Sequence, residues 1–120
     1  MIMPVRTTLQ AILSRMDREN GRDMDGMFSA LKIGRFDREG RREMRLALLA
    51  DAADAWMAEN PEFERSATGS VAEAIARGDG ETPILDFIRD LIDSGKIQAF
   101  LSWLFENLPT LIAAIVAIFA

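Results

Sequence analysis

The chain has 120 residues, of which 49% are hydrophobic and 28% are charged, and its formal net charge is −5. This length and composition predict one folded domain and exclude a disordered chain. The chain has no cysteine, histidine or tyrosine, which excludes disulfides, thiolate chemistry and cysteine-bound metals. It also lacks a phosphate-binding glycine loop and an H-E-x-x-H motif. We therefore expect no enzyme activity, no cofactor and no metal site.

Residues 1–60 are predicted to form a small three-helix region. The first apolar stripe has the i, i+3, i+4, i+7 spacing of one helix face and consists of Leu9, Ile12, Leu13 and Met16. Asn20-Gly21 predicts the end of that helix, and Met24 to Leu31 repeats the spacing. A third helix is predicted from about Asp37 to the residue before Pro61, since a residue that precedes proline is disfavoured in a helix.

Residues 61–82 are predicted to be a connector with one short helix. Ser70 and Glu73 have the spacing of a capping box, in which each side chain satisfies a free backbone N–H at a helix start. The glycines of Gly78-Asp79-Gly80 predict a turn. Thr82 followed by Pro83 predicts the start of the next helix, with Thr82 as its N-cap.

Residues 83–120 contain an internal repeat and the longest apolar segment. The pattern I-x-x-F-[IL]-x-x-L-[IF] begins at Ile84 and again at Ile97, 13 residues later. On one unbroken helix this offset would rotate the second stripe by about 220° from the first. Asp93-Ser94-Gly95 is a suitable break between them. We therefore predict a hairpin of two amphipathic helices packed on a shared core.

The segment 97–120 must be buried in protein or lipid. A single membrane span is disfavoured because Glu106, Asn107 and Pro109 would lie near its middle, where one acidic residue costs about 2.5–3.5 kcal/mol. Pro109 is expected to kink the chain or open a new helix, leaving residues 111–120 as a separate apolar tail about 15 Å long. An acidic polar face disfavours an anionic lipid surface. We therefore favour burial against protein, with Ala113 and Ala117 allowing close helix approach. The predicted partner or oligomer interface consists of Phe100, Leu101, Trp103, Leu104, Leu111, Ile112, Ile115, Ile118 and Phe119.

Charge is unevenly distributed: residues 1–45 hold ten basic and seven acidic side chains, and residues 46–120 hold four and twelve. Helical spacings of three and four place an arginine row on the basic half, formed by Arg35, Arg38, Arg41, Arg42 and Arg45. This row is a candidate phosphate contact, although interleaved glutamates are also typical of a solvated face. Asp23-Met24-Asp25-Gly26 resembles part of a calcium loop, but Lys32 occupies the twelfth position, where a carboxylate is required. We interpret it as a polar turn between helices.

The sequence as a whole predicts an all-α, non-enzymatic structural or assembly protein. It is expected to be a homo-oligomer or complex subunit that packs through its apolar C-terminal helices. Small chains rich in arginine and alanine occur among phage and other virion components, so a virion subunit is one such role. Two alternatives are a small membrane-anchored protein that uses the same tail and a nucleic-acid-binding module that uses the arginine row. The N-terminus lacks the apolar run of a signal peptide, so the predicted localisation is left open between the cytoplasm, a viral particle and a membrane.

Overall fold

The computed structural model describes residues 4–31, 38–65 and 69–119 and is helical with no strand in these ranges. The predicted all-α class is confirmed. The elements in chain order are α1 (Val5–Leu31), α2 (Arg38–Glu59), α3 (Val71–Ala76), α4 (Thr82–Ser94) and α5 (Ile97–Phe119).

The first helix, α1, continues past the predicted break at Asn20-Gly21. Asn20 has non-helical angles (φ −132°, ψ 18°), so the helix kinks there and then resumes. The break predicted at Asn20-Gly21 is confirmed as this kink, which joins two helical parts without a connecting loop. Met16 and Met24 on either side of the kink are both buried in the shared core. The polar turn predicted at Asp23 and Asp25 was wrong, because both residues lie in the helical part after the kink.

The second helix, α2, spans the range predicted for it and also anchors α3. Asp54 on α2 accepts hydrogen bonds from the Val71 and Ala72 backbone N–H groups at 2.8 and 3.0 Å and from the Ser70 hydroxyl at 2.8 Å. Ser70 in turn accepts from the Glu73 N–H at 3.2 Å, which confirms the Ser70 N-cap predicted from the sequence. The free N–H groups at the start of this short helix thus have partners within the fold.

The fourth and fifth helices form the predicted pair. Gly95 ends α4 in the left-handed conformation (φ +74°), which glycine adopts without strain, and α5 begins two residues later. This turn places both copies of the repeat against one core. Phe87 and Phe100 occupy equivalent positions in the two copies, and their ring centroids are 5.1 Å apart in an edge-to-face arrangement. The start of α4 differs by one residue from the prediction, because Glu81 rather than Thr82 is its N-cap.

An aromatic cluster forms the centre of the core. The Trp56 ring lies 5.0 Å from Phe63, 6.2 Å from Phe87 and 5.6 Å from Phe100, measured between ring centroids. These side chains come from α2, α4, α5 and the segment after α2. All four are buried. The cluster therefore joins the two halves of the chain at one point.

One hydrophobic core extends through all five helices of the described structure. The most extensive helix pairing joins α1 to α5, and α1 contacts α2 less than it contacts α4 or α5. The boundary predicted at residue 60 falls just after α2, and the one at residue 82 falls at the first residue of α4. The described core is continuous across both positions.

Candidate docking surface

The fifth helix runs without interruption through Pro109. A proline inside a helix removes one backbone hydrogen bond and costs about 3 kcal/mol. Leu108 and Ile112 on either side of it are buried in the core, and this packing keeps α5 helical to Phe119. The sequence prediction of a separate tail after Pro109 was wrong, because residues 97–119 are one continuous helix.

The exposed face of α5 changes in character at Pro109. Before the proline, the exposed side chains are Gln98, Ala99, Ser102 and Glu106. After it, the exposed side chains are Pro109, Thr110, Ala113, Ala114, Ala117 and Ile118. Ile118 lies five full turns after the buried Phe100 and therefore on the side of α5 that faces the core, yet it is 75% exposed at the end of the helix. The outer face of the second half of α5 is thus apolar, and its last large apolar side chain on the inner side is uncovered.

The first helix lies beside this apolar half and runs parallel to it. The Arg15 guanidinium carbon is 4.0 Å from the centroid of the Phe105 ring, a cation–π distance. Further along both helices, Gly26 on α1 and Ala113 on α5 line a groove between the two helices. The chain therefore advances in the same direction along α1 and α5, and the ends of both helices lie at one end of the molecule.

The groove between these two ends has a volume of about 460 Å³ and is open to solvent. Small side chains line much of it, and a Cβ added to Gly26 would meet no atom within 4 Å. The lining residues are Arg22, Asp23, Gly26, Met27, Pro109, Ile112, Ala113, Val116 and Ala117. We call the exposed side chains of α5 from Pro109 to Ile118, together with this groove, the docking surface.

Charge on the docking surface is confined to α1. Arg22 and Asp23 line the groove and are exposed, whereas residues 97–119 include Glu106 as their one charged residue. Neither α1 nor α5 has a basic residue in its last turn. The carbonyl groups at the end of α5 therefore carry partial negative charge with no cation from the last turn beside them. At α1, Lys32 follows the last helical residue and lies outside the described residues.

The structure divides the predicted interface residues into three groups. Phe100, Leu104 and Ile112 lie in the chain's own core and are not available to a partner. Leu101, Trp103, Leu111 and Ile115 are half-buried against that core. Ile118 is exposed, and the Phe119 side chain lies outside the described residues. Trp103 also stacks on Phe100 and donates from its indole Nε1 to Glu59 Oε2 at 2.7 Å.

The predicted arginine row is divided by intramolecular ion pairs. Arg42 on α2 pairs with Glu81, and Arg45 pairs with Asp17 on α1. The Arg45 side chain is only 15% exposed, so it connects two helices within the fold. Arg41 is exposed. Arg35 and the side chain of Arg38 lie outside the described residues. The described arginines therefore do not form a continuous cationic surface of the kind that phosphate binding requires.

The sequence-based prediction missed two features of this region. The second half of α1 contributes one wall of the groove, which only a long-range pairing of α1 with α5 reveals. Asp54 acts as an N-terminal cap for a helix that begins 17 residues later, and no local motif marks it. Neighbouring Asp51 has a raised pKa, because partial burial disfavours its charged form and the Asp54 charge repels it.

Metal binding and membrane crossing are two other roles that this region could have. Within the described residues, no group of three or more acidic side chains is arranged to hold a metal ion. Residues 97–118 are long and apolar enough to cross a membrane by length and composition, and 17% of their most apolar window is buried within the fold. Core helices of soluble proteins can also meet the length and composition criterion, but they are mostly buried. Comparison of the chain with protein-family models, curated proteins and solved structures gives no match.

Proposed function

We propose that this protein is a non-enzymatic assembly subunit that attaches to other protein through the docking surface. One observation carries the proposal: the outer face of α5 is polar before Pro109 and apolar after it, and Ile118 on the inner side of the same half is 75% exposed. A helix that serves only its own core keeps polar residues on its outer face throughout. Contiguous exposed apolar surface on a folded domain is typical of an interaction site. A virion or other large complex would suit such a subunit.

Protein is favoured over lipid because of the charged residues of α1. Arg22 and Asp23 share the groove with Ile112 and Ala113, so they lie at the same level as the apolar half of α5. Inserting that half into a bilayer with the fold intact would carry these charges towards the hydrocarbon. Each charge costs about 2.5–3.5 kcal/mol at the bilayer centre on insertion scales. A protein surface can place polar groups opposite them and avoid this cost.

Membrane spanning by α5 alone is a second candidate, because its length and composition allow it. It requires α5 to leave the core, which would expose the aromatic cluster around Trp56 and Phe87 to water. It would also place Glu106 inside the span. The nucleic-acid alternative is not favoured, since Arg42 and Arg45 are already paired with carboxylates.

Site-specific photo-crosslinking tests the proposal in the cells that produce the protein. A photoreactive amino acid is placed at position 117, inside the docking surface, and at position 99 as the control. Ala99 and Ala117 are both exposed and lie 18 residues apart on α5, which is five full helical turns and thus the same face. Protein adducts at 117 that are absent at 99 support the proposal. Lipid adducts alone, equal adducts at both positions, or no adduct at 117 overturn it.

A further inference from the structure

We propose that the occupant of the docking surface is a second copy of this chain, bound about a two-fold axis that passes close to Ala113. This inference rests on the proposed function and specifies its partner. In such a dimer the apolar half of each α5 crosses its counterpart in the antiparallel sense, and the neighbouring ends of α1 complete a four-helix contact. Most soluble oligomers are symmetric in this way, with the same patch used on both copies.

Electrostatics favours a second copy in this orientation. The last turn of α5 holds no basic residue, so no cation of that turn offsets the partial negative charge of its carbonyl groups. Arg22 lines the groove and precedes Gly26 by about one helical turn on α1. An antiparallel crossing at Ala113 therefore brings Arg22 of each copy towards the carboxyl end of the other copy's α5, where a cation is stabilising.

The charges that line the groove do not oppose this contact. Arg22 and Asp23 carry opposite charges at adjacent positions, so they add no net charge to the groove. This matters because the chain as a whole carries −5, which disfavours self-association through most of its surface. The remaining exposed residues of the contact on α5 are uncharged.

The size of the surface sets the expected affinity. About ten residues of each helix form a platform roughly 15 Å long, and two adjacent helices are roughly 20 Å wide. The area of this platform is smaller than the approximately 800 Å² that each partner buries in a standard stable interface. We therefore expect a concentration-dependent dimer with a micromolar dissociation constant rather than a permanent one.

Sedimentation velocity of the purified full chain without detergent tests the dimer directly. We expect the average mass to rise from monomer to dimer across about 1–200 μM. Ala117→Glu should leave a monomer over this range, because it places a carboxylate in the contact on each copy. Ala99→Glu, on the same face of α5 but outside the docking surface, should dimerise like the wild type. Arg22→Ala should raise the dimer Kd by about threefold to thirtyfold, since the helix-end contact occurs twice.

Cysteine crosslinking tests the position of the axis. The chain has no cysteine of its own, so a single Ala113→Cys substitution gives one possible intermolecular disulfide. Close to a two-fold axis the two copies of residue 113 lie within disulfide reach. We expect oxidation to give a covalent dimer for Ala113→Cys and monomer for Ala99→Cys.

A wild-type chain that stays monomeric to 200 μM would overturn the inference, as would a dimer that Ala117→Glu leaves intact. Preferential crosslinking through Ala99→Cys would also overturn it. The proposed function is judged separately by photo-crosslinking in cells. Protein adducts at 117 with a partner other than this chain, together with a monomeric purified chain, would leave the proposed function standing and remove only the second copy. Absence of any protein adduct at 117 would remove the proposed function itself.

Discussion

Truncation of Phe100 distinguishes a core residue from an interface residue of the same helix. The Phe100 side chain is fully buried and meets the rings of Trp56, Phe87 and Trp103 at 5.6, 5.1 and 6.3 Å between centroids. Replacing a buried phenylalanine by alanine costs about 3–5 kcal/mol, from lost burial and from the cavity left behind. A domain of this size has a free energy of unfolding of roughly 6–18 kcal/mol. Phe100→Ala should therefore remove a large share of the total stability.

Urea unfolding followed by tryptophan fluorescence measures this loss, because Trp56 and Trp103 both lie near the site. With an m-value of about 2 kcal/mol per M, the transition midpoint should fall by about 1.5–2.5 M. The matched variant is Ile118→Ala, which removes a side chain of α5 that is 75% exposed. It should change stability by less than about 0.5 kcal/mol in dilute solution. A loss below 1 kcal/mol for Phe100→Ala would refute its assignment to the core, and a loss for Ile118→Ala comparable to that of Phe100→Ala would refute the exposure of the docking surface.

Four further substitutions test the contacts that organise the fold. Asp54→Ala removes the acceptor of two backbone N–H groups at the start of α3, so unfolding free energy should fall by about 1–3 kcal/mol, and an unchanged urea midpoint would contradict the cap. Asp51→Asn should raise the melting temperature at pH 7, because the raised pKa of Asp51 means that its ionised form destabilises the folded state. This difference in melting temperature should disappear as the pH falls below the ordinary pKa of aspartate. A difference that grows on acidification would contradict the reasoning. Gly95→Ala should cost about 1 kcal/mol, because φ is +74° there, whereas Gly26→Ala, in open space within a helix, should be neutral or stabilising by up to about 1 kcal/mol in dilute solution. Equal losses at the two glycines would contradict this reasoning.

Local signals predicted most of the helices and their boundaries correctly. Ser70 caps α3 and Gly95 separates the two copies of the repeat, as their residue types and spacing indicated. Asn20-Gly21 interrupts the helical geometry where the sequence indicated, as the kink at Asn20. The error at Pro109 came where packing outweighed a local signal, because α5 stays helical there between a buried leucine and a buried isoleucine.

The docking surface could be predicted only in part. Apolar periodicity identified α5 as a helix that must be covered, but it does not distinguish a residue covered by its own chain from one covered by a partner. Phe100 and Ile118 are equivalent in such a pattern, yet one is fully buried and the other is 75% exposed. The groove was beyond sequence reasoning, since its second wall depends on the parallel pairing of α1 with a helix that begins at Ile97.

The α1–α5 pairing also determines when the protein can fold during its synthesis. The apolar face of α1, which includes Leu9 and Leu13, has its most extensive partner in a helix that follows much later in the chain. At about 5–20 residues per second, a ribosome needs roughly 3–13 s to proceed from the end of α1 to the start of α5. During this interval the nascent chain exposes a helix whose covering surface does not yet exist. Such a delay makes the chain a candidate client for chaperones that bind nascent apolar segments.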